Sequence, residues 1–168
     1  MSKYKVLISL GSNIGDRELI LGTVIGFCET YDIINEIKYS KVYETEPFGE
    51  KDQPDFLNMC FVGYTSFSAL TLIDILKNME KDLGRIRREK WKEREIDIDI
   101  LFYEDIVLNH EKLELPHPRM HERKFVLIPA NDIASEMIHP VYNKTIKQLL
   151  DDCEDESDVK VFKSNFLR

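Results

Sequence analysis

The sequence predicts an α+β fold with a ferredoxin-like β-α-β-β-α-β core, an antiparallel sheet carrying two helices on one face. Three observations predict it. Extended apolar segments come in the order one, two, one around two stretches of helical period. Each helical stretch has its own capping residue. The chain is 168 residues long, which suits one domain over 1–168 and a core that needs no disulfide or structural metal.

Tyr4–Leu10 reads as a strand ending at Gly11. Arg17–Tyr31 places Leu21, Val24, Ile25 and Cys28 on one helical face, with Asp16 as N-cap. Ile33–Tyr43 reads as extended, rich in β-branched and aromatic residues. Glu44–Asp55 reads as a loop around Pro47, Gly49 and Pro54, and Phe56–Tyr64 as the next strand. Ser68 caps a helix running to about Leu83, and Gly84 stops it. Arg85–Arg94 reads as a charged loop and Ile96–Tyr103 as a strand. Beyond Tyr103 the pattern weakens into a short hairpin near Ile106–Leu115, helical turns near Arg119–Phe125 and a last helix over Thr145–Asp151. An acidic tail follows, from about 151 to 168.

Composition narrows the function classes. Hydrophobic residues make up 43% and charged residues 32%, an ordinary globular balance. A net charge of −8 argues against nucleic-acid or anionic-membrane binding. The charge is uneven: Arg85–Arg94 holds six basic and two acidic residues, whereas Asp151–Asp158 holds six acidic and no basic ones. A local cationic patch on an acidic protein suits a small polyanion. Cys28, Cys60 and Cys153 show no metal-ligand spacing and read as reduced thiols of a cytoplasmic protein. The apolar run Val6–Leu10 is too short for a signal peptide or a membrane span.

The sharpest chemical feature is Ile96-Asp97-Ile98-Asp99-Ile100. On a strand the two carboxylates share a face, roughly 6.5–7 Å apart at the backbone, and the isoleucines face the core. Two like charges there suit magnesium, a hard cation that takes carboxylate, water and phosphate oxygens. A solvated polar strand face is the ordinary alternative, and the pentapeptide alone leaves both open. Immediately upstream stand Arg85, Arg87, Arg88, Lys90, Lys92 and Arg94, with Trp91 among them. Guanidinium forks beside a metal-carboxylate pair suit a triphosphate; a solvated basic loop is the alternative.

Three further segments are weaker. Gly11-Ser12-Asn13-Ile14-Gly15-Asp16 lacks both the dinucleotide and the P-loop spacing and reads as a strand-to-helix turn needing positive φ at glycine. Phe56 and Asn58 share one strand face beyond the loop that contains Thr45, an aromatic and an amide that suit a flat heterocycle or simply a core position and a turn. In Pro116-His117-Pro118 and the segment after it, His117 could donate to a phosphate and Arg123 could clamp one; a loop histidine is also commonly a surface hydrogen-bonder.

Six segments in this order, LGSNIGDR (Leu10–Arg17), YETEPFG (Tyr43–Gly49), DQPDFLN (Asp52–Asn58), LGRIRREKW (Leu83–Trp91), REIDIDIL (Arg94–Leu101) and LPHPRMHERKFVLIP (Leu115–Pro129), resemble the 6-hydroxymethyl-7,8-dihydropterin pyrophosphokinase family. The resemblance implies a monomer with a three-layer α/β/α build on the ferredoxin-like core. It implies transfer of diphosphate from ATP to the pterin hydroxymethyl group, a step of folate biosynthesis, with two magnesium ions held by Asp97 and Asp99. Catalytic roles would fall to Arg87, Arg94, Asp97 and Asp99. ATP contacts would fall to Glu80, Arg85, Arg87, Lys90, Trp91, Arg94, Ile100, His117 and Arg123. Pterin contacts would fall to Gly11, Ser12, Thr45, Glu46, Phe48, Asn58 and Asp97, with Phe56 and Phe125 stacking on the ring. Lys90 stands where the family often has arginine, Lys92-Glu93 where Gly-Pro is common, and Phe56 where tyrosine is frequent. Two rival classes are a nucleotidyl transferase or cyclase on the same sheet, and a sheet-face RNA binder. The second lacks its aromatic strand pattern in Phe56–Tyr64.

Overall fold

The computed structural model describes residues 2–47, 49, 51–84 and 96–165. Strand β1 (Tyr4–Ser12) runs through the middle of the sheet, between β4 (Phe56–Thr65) and β5 (Asp97–Tyr103), antiparallel to both. Strands β2 (Asn35–Tyr39) and β3 (Val42–Thr45) lie one after the other along the far side of β4, and β8 (Val159–Phe162) pairs with β3 at the edge. The order β5-β1-β4-β3-β8 contains the ferredoxin-like arrangement expected from the segment order.

Alternation along the strands creates two cores. Val6, Ile8 and Leu10 of β1, with Ile98 and Ile100 of β5, face helices α1 (Arg17–Thr30) and α2 (Ala69–Asp82). Leu7, Cys60 and Val62 face α3 (Lys124–Ala134) and α4 (Ile146–Asp152). The result is three layers, helix, sheet and helix. A register shift between Leu7 and Ile8 pairs them with Phe102 and Ile100, leaving Leu101 as an extra residue. That bulge lets Leu101 and Phe102 both join the second core.

The caps were legible. Asp16 accepts from the Leu19 N–H at 3.1 Å and Ser68 from the Thr71 N–H at 3.3 Å. Gly84 has φ 92° after α2, as a helix stop requires. The expected hairpin is β6 (Leu108–His110) with β7 (Leu113–Leu115). No helix among the described residues is long and apolar enough to cross a membrane.

Four expectations change. The extended segment Ile33–Tyr43 is two strands, broken at Ser40, whose N–H donates to Cys60 O at 2.8 Å while its hydroxyl accepts from Cys60 N at 2.9 Å. The loop after it starts later, because Glu44 and Thr45 belong to β3. The turns near Arg119–Phe125 resolve into a 3-10 turn (Met120–Glu122) and the 11-residue helix α3, whose internal Pro129 removes a helical donor and masks its period. Within the acidic tail lies β8, too short for a periodic signal and held by pairing with β3.

Gly63 is fixed by close approach. A Cβ there would lie 2.5 Å from Ile34 Cγ2 and 2.8 Å from the Asn35 carbonyl oxygen, where β2 crosses β4. Gly63→Ala is therefore expected to cost about 1–3 kcal/mol by overpacking, read as a lower denaturant midpoint with unchanged m-value.

Candidate active site

At one end of the sheet the three central strands set their polar residues side by side. Gly11 of β1 stands opposite Asn58 on β4 and Asp97 on β5; two residues back, Ser9 stands opposite Cys60 and Asp99. Asp97 and Asp99 point away from Ile96, Ile98 and Ile100, which are fully or almost fully buried in the inner core. Both carboxylates open into a cleft that Gly11, Thr45, Phe56, Asn58, Arg123 and Phe125 also line. The cleft is concave and partly open to solvent.

Gly11 keeps the floor low. A Cβ there would sit 3.0 Å from Asn58 Oδ1 and 3.8 Å from Phe56 Cδ1. Positive φ belongs to Gly15, at 74°, three residues past the end of β1, so the turn takes the glycine conformation expected of it there and not at Gly11. Asn58 is buried, and its Nδ2 donates to Thr45 Oγ1 at 2.7 Å. That bond orients the amide from β3 as well as from β4.

The carboxylate pair is electrostatically crowded. The Asp99 side chain keeps 32% of its surface open to the cleft, yet enough protein surrounds it that desolvation, with the Asp97 charge second, pushes its pKa up to about 6. Lys77 of α2 opposes this, with Nζ 3.7 Å from Asp99 Oδ1. The same ammonium donates to Glu80 at 3.0 Å and to the Ile98 carbonyl at 2.9 Å, and Glu80 accepts the Ile98 N–H at 2.7 Å. Lys77 and Glu80 therefore bind both outward backbone groups of the residue between the two aspartates. This fixes the edge strand that presents them. Burial works against the Lys77 charge, but Asp99, Glu80 and Asp97 together leave its pKa raised.

Arg123, just before α3, is the described cation across the cleft from the pair. Burial lowers its pKa, and Asp99 opposes that shift most. Its guanidinium carbon lies 5.9 Å from the Phe125 ring centre. His117 is held neutral: burial, then Arg123, lowers its pKa to about 4. Its Nδ1 accepts from the Arg119 N–H at 3.2 Å, so Nε2 carries the proton and can donate. The loops are tied down by Asn13 and Arg17. Asn13 Nδ2 donates to Gln53 Oε1 at 2.9 Å and to Pro54 O at 3.1 Å; Arg17 donates to Glu44 at 2.8 Å and to Asp55 O at 2.9 Å.

A crowded pair of carboxylates, which are hard oxygen donors, an arginine, and an amide sharing the cleft with two aromatic side chains suit a charged, phosphorylated ligand beside a flat polar one. Comparison with known proteins agrees. The model of the 7,8-dihydro-6-hydroxymethylpterin-pyrophosphokinase family matches residues 7–135. The chain belongs to this family.

Relatives in the pyrophosphokinase family are close over most of their length. The chain is 40% identical over 130 residues to the 2-amino-4-hydroxy-6-hydroxymethyldihydropteridine pyrophosphokinase of Bacillus subtilis (strain 168), covering 77% of this chain and 78% of that protein. It is 40% identical over 144 residues to the enzyme of that name from Aquifex aeolicus (strain VF5), covering 85% and 88%. Among solved structures, the Plasmodium falciparum HPPK-DHPS wild type with pteroate superposes at TM-score 0.72 with 20% identity, which shows the shared fold. The match covers 90% of this chain, and the chain spans about two fifths (42%) of that one.

Within this pyrophosphokinase the expected site residues divide into three groups. Gly11, Thr45, Glu46, Phe56, Asn58, Asp97, Asp99, Arg123 and Phe125 line the one cleft. Four do not line it. His117 lines a neighbouring groove with residues of the β6–β7 hairpin. Ser12 is fully buried, and Ile100 is 2% exposed with its side chain in the inner core. Glu80 is 1% exposed and spends its carboxylate on β5, so it orders the aspartate strand. Phe48, Arg85, Arg87, Lys90, Trp91 and Arg94 lie outside the described residues. Sequence reasoning missed Lys77, although its i,i+3 spacing with Glu80 on a helix was the available signal. Asn13 and Arg17 carry no local signal of this role, since their partners lie at least 27 residues away.

Proposed function

We propose that this chain transfers the β,γ-diphosphate of ATP to the hydroxymethyl oxygen of 6-hydroxymethyl-7,8-dihydropterin, a step of folate biosynthesis. The hydroxymethyl oxygen gains a bond to the β-phosphorus. The bond from that phosphorus to AMP breaks, and the hydroxyl gives up its proton. The observation that carries this reading is the shared cleft, in which the Asp97–Asp99 pair, Arg123, and the Asn58 amide with Phe56 and Phe125 converge.

On the pterin side, Asn58 and Thr45 offer a donor and acceptors to the polar ring edge, and Phe56 and Phe125 offer ring faces. On the phosphate side, Arg123 and the Nε2 of His117 supply donors, and Ile100 contributes through its backbone on the edge strand. In this reading Arg85, Arg87, Lys90, Trp91 and Arg94 complete the ATP site, with Arg87 and Arg94 stabilising charge on the transferred group. Gly11, Glu46 and Phe48 complete the pterin site.

The carboxylate pair fits magnesium: two hard oxygen donors, mutually repelling, opposed among the described residues by Lys77 and Arg123. Among the described residues no group of three or more His, Cys, Asp or Glu side chains could hold a metal. When bound, two magnesium ions on Asp97 and Asp99 would neutralise triphosphate charge and make the β-phosphorus more electrophilic. The chain acts as a monomer and one domain, 1–168, in the cytoplasm.

The deciding experiment mixes the protein with ATP, magnesium and the hydroxymethyl-dihydropterin. AMP together with the pterin diphosphate is expected. Release of inorganic pyrophosphate with a nucleotidylated product would overturn the reading in favour of nucleotidyl transfer.

A further inference from the structure

We infer that Asp155, in the acidic segment after α4, is a positioning residue for the cleft: its carboxylate caps α3, which carries Arg123 and Phe125, while β8 just beyond it braces Thr45. This rests on the function proposed above for the cleft itself.

Helix α3 starts beside the site without a cap of its own. Its N-cap, Arg123, makes no side-chain capping hydrogen bond, because a guanidinium has only donors and cannot accept from the helix N–H groups. The Lys124 N–H, in the first turn, instead donates to Asp155 Oδ2 at 2.9 Å, across 31 residues. The other oxygen of Asp155 accepts the Ser157 N–H at 2.9 Å and the Ser157 hydroxyl. One oxygen is thus spent on the helix and one on the segment's own turn, which locks the carboxylate in place. Burial disfavours its charge, but the Ser157 bonds and then Lys124 outweigh burial and hold the pKa below the ordinary value. A carboxylate at a helix N-terminus is also favoured by the helix dipole.

The segment around Asp155 is not a solvated run of charge. Cys153, Asp155, Ser157 and Val159 are half-buried, while Glu154, Glu156 and Asp158 are exposed, an alternation of extended chain lying against the protein. Four residues beyond Asp155 the chain enters β8, where Val159 stands opposite Thr45 and Lys160 opposite Glu44. Thr45 in turn accepts from Asn58 Nδ2. A single stretch from Asp155 to Phe162 therefore touches both sides of the pterin subsite, the start of α3 and the end of β3. This stretch lies beyond the residues the family model matches.

The test measures pterin binding by fluorescence titration of 6-hydroxymethylpterin, with magnesium and a non-hydrolysable ATP analogue present, well below the melting temperature of every variant. Asp155→Ala is expected to weaken pterin binding about tenfold, the scale of a lost helix cap. Asp155→Asn, which keeps an acceptor for the Lys124 N–H but loses the one for Ser157, recovers part of the loss. Ser157→Ala gives a smaller loss of the same sign, and Glu154→Ala gives none. Equal affinity in the parent and Asp155→Ala overturns the inference, as does an asparagine variant no better than alanine. Amide hydrogen exchange over 124–127 provides a ligand-free readout and should quicken in Asp155→Ala. A parent chain that binds no pterin would refute the proposed function, while unchanged exchange would refute the cap.

Discussion

Asp97→Asn and Asp99→Asn each lower turnover on the order of 10³-fold or more, with an unchanged circular dichroism spectrum. Asparagine keeps the shape of the side chain and removes the charge that the proposed magnesium site needs. Several kcal/mol of charge neutralisation at the transferring group then disappear, at about 1.4 kcal/mol per decade of rate. The fold should tolerate the change, because both side chains open into the cleft while the isoleucines between them carry the core packing. Without metal the variants should in fact be more stable than the parent. The folded-state pKa of Asp99 is raised to about 6, so the folded protein binds more protons than the unfolded chain between the usual carboxylate value and pH 6. Metal-free stability therefore falls as pH rises through that window, and removing one of the two charges relieves the loss. Thermal melts at pH 5 and pH 7 in the presence of a chelator check the sign. Near-normal turnover in both variants would refute the carboxylate assignment.

Asn58→Ala raises KM for the pterin on the order of 10–100-fold and changes kcat less. The amide is buried, positioned by Thr45, and stands beside Gly11 at the cleft floor. A hydrogen bond lost in a desolvated site leaves the ligand's polar edge unpaired, at roughly 1–3 kcal/mol. The ATP-analogue affinity, measured without pterin, is expected to stay within about twofold, since the amide is held by Thr45 beside Gly11 and belongs to the proposed pterin subsite. Steady-state kinetics at saturating ATP check this. An unchanged KM would place the pterin elsewhere.

The chain shows why some parts of a site can be read locally and others cannot. The aspartate pair was legible because a strand has period two: once Ile96, Ile98 and Ile100 take the core, Asp97 and Asp99 must share the other face. Asp16 and Ser68 were legible because an N-cap acts within three residues of its own helix. Helix α3 was obscured by Pro129, which interrupts the helical donor pattern even where packing against the sheet keeps the segment helical. Strand β8 was hidden because four residues after an acidic run carry no period, and its partner β3 is more than a hundred residues earlier.

From the sequence alone follow the ferredoxin-like order of elements, the shared face of the two aspartates, and, through motif resemblance, the pyrophosphokinase family. These depend on neighbours in the chain, where backbone geometry is repetitive and a few residues suffice. The tertiary structure decided that Glu80 and Lys77 grip the backbone between the aspartates, that Asn13 and Arg17 pin the loops, and that an acidic segment caps the helix bearing Arg123 and Phe125. Each of those is a hydrogen bond between residues brought together by folding. A buried N–H, C=O or carboxylate must find some partner, but which one it finds depends on how the layers pack.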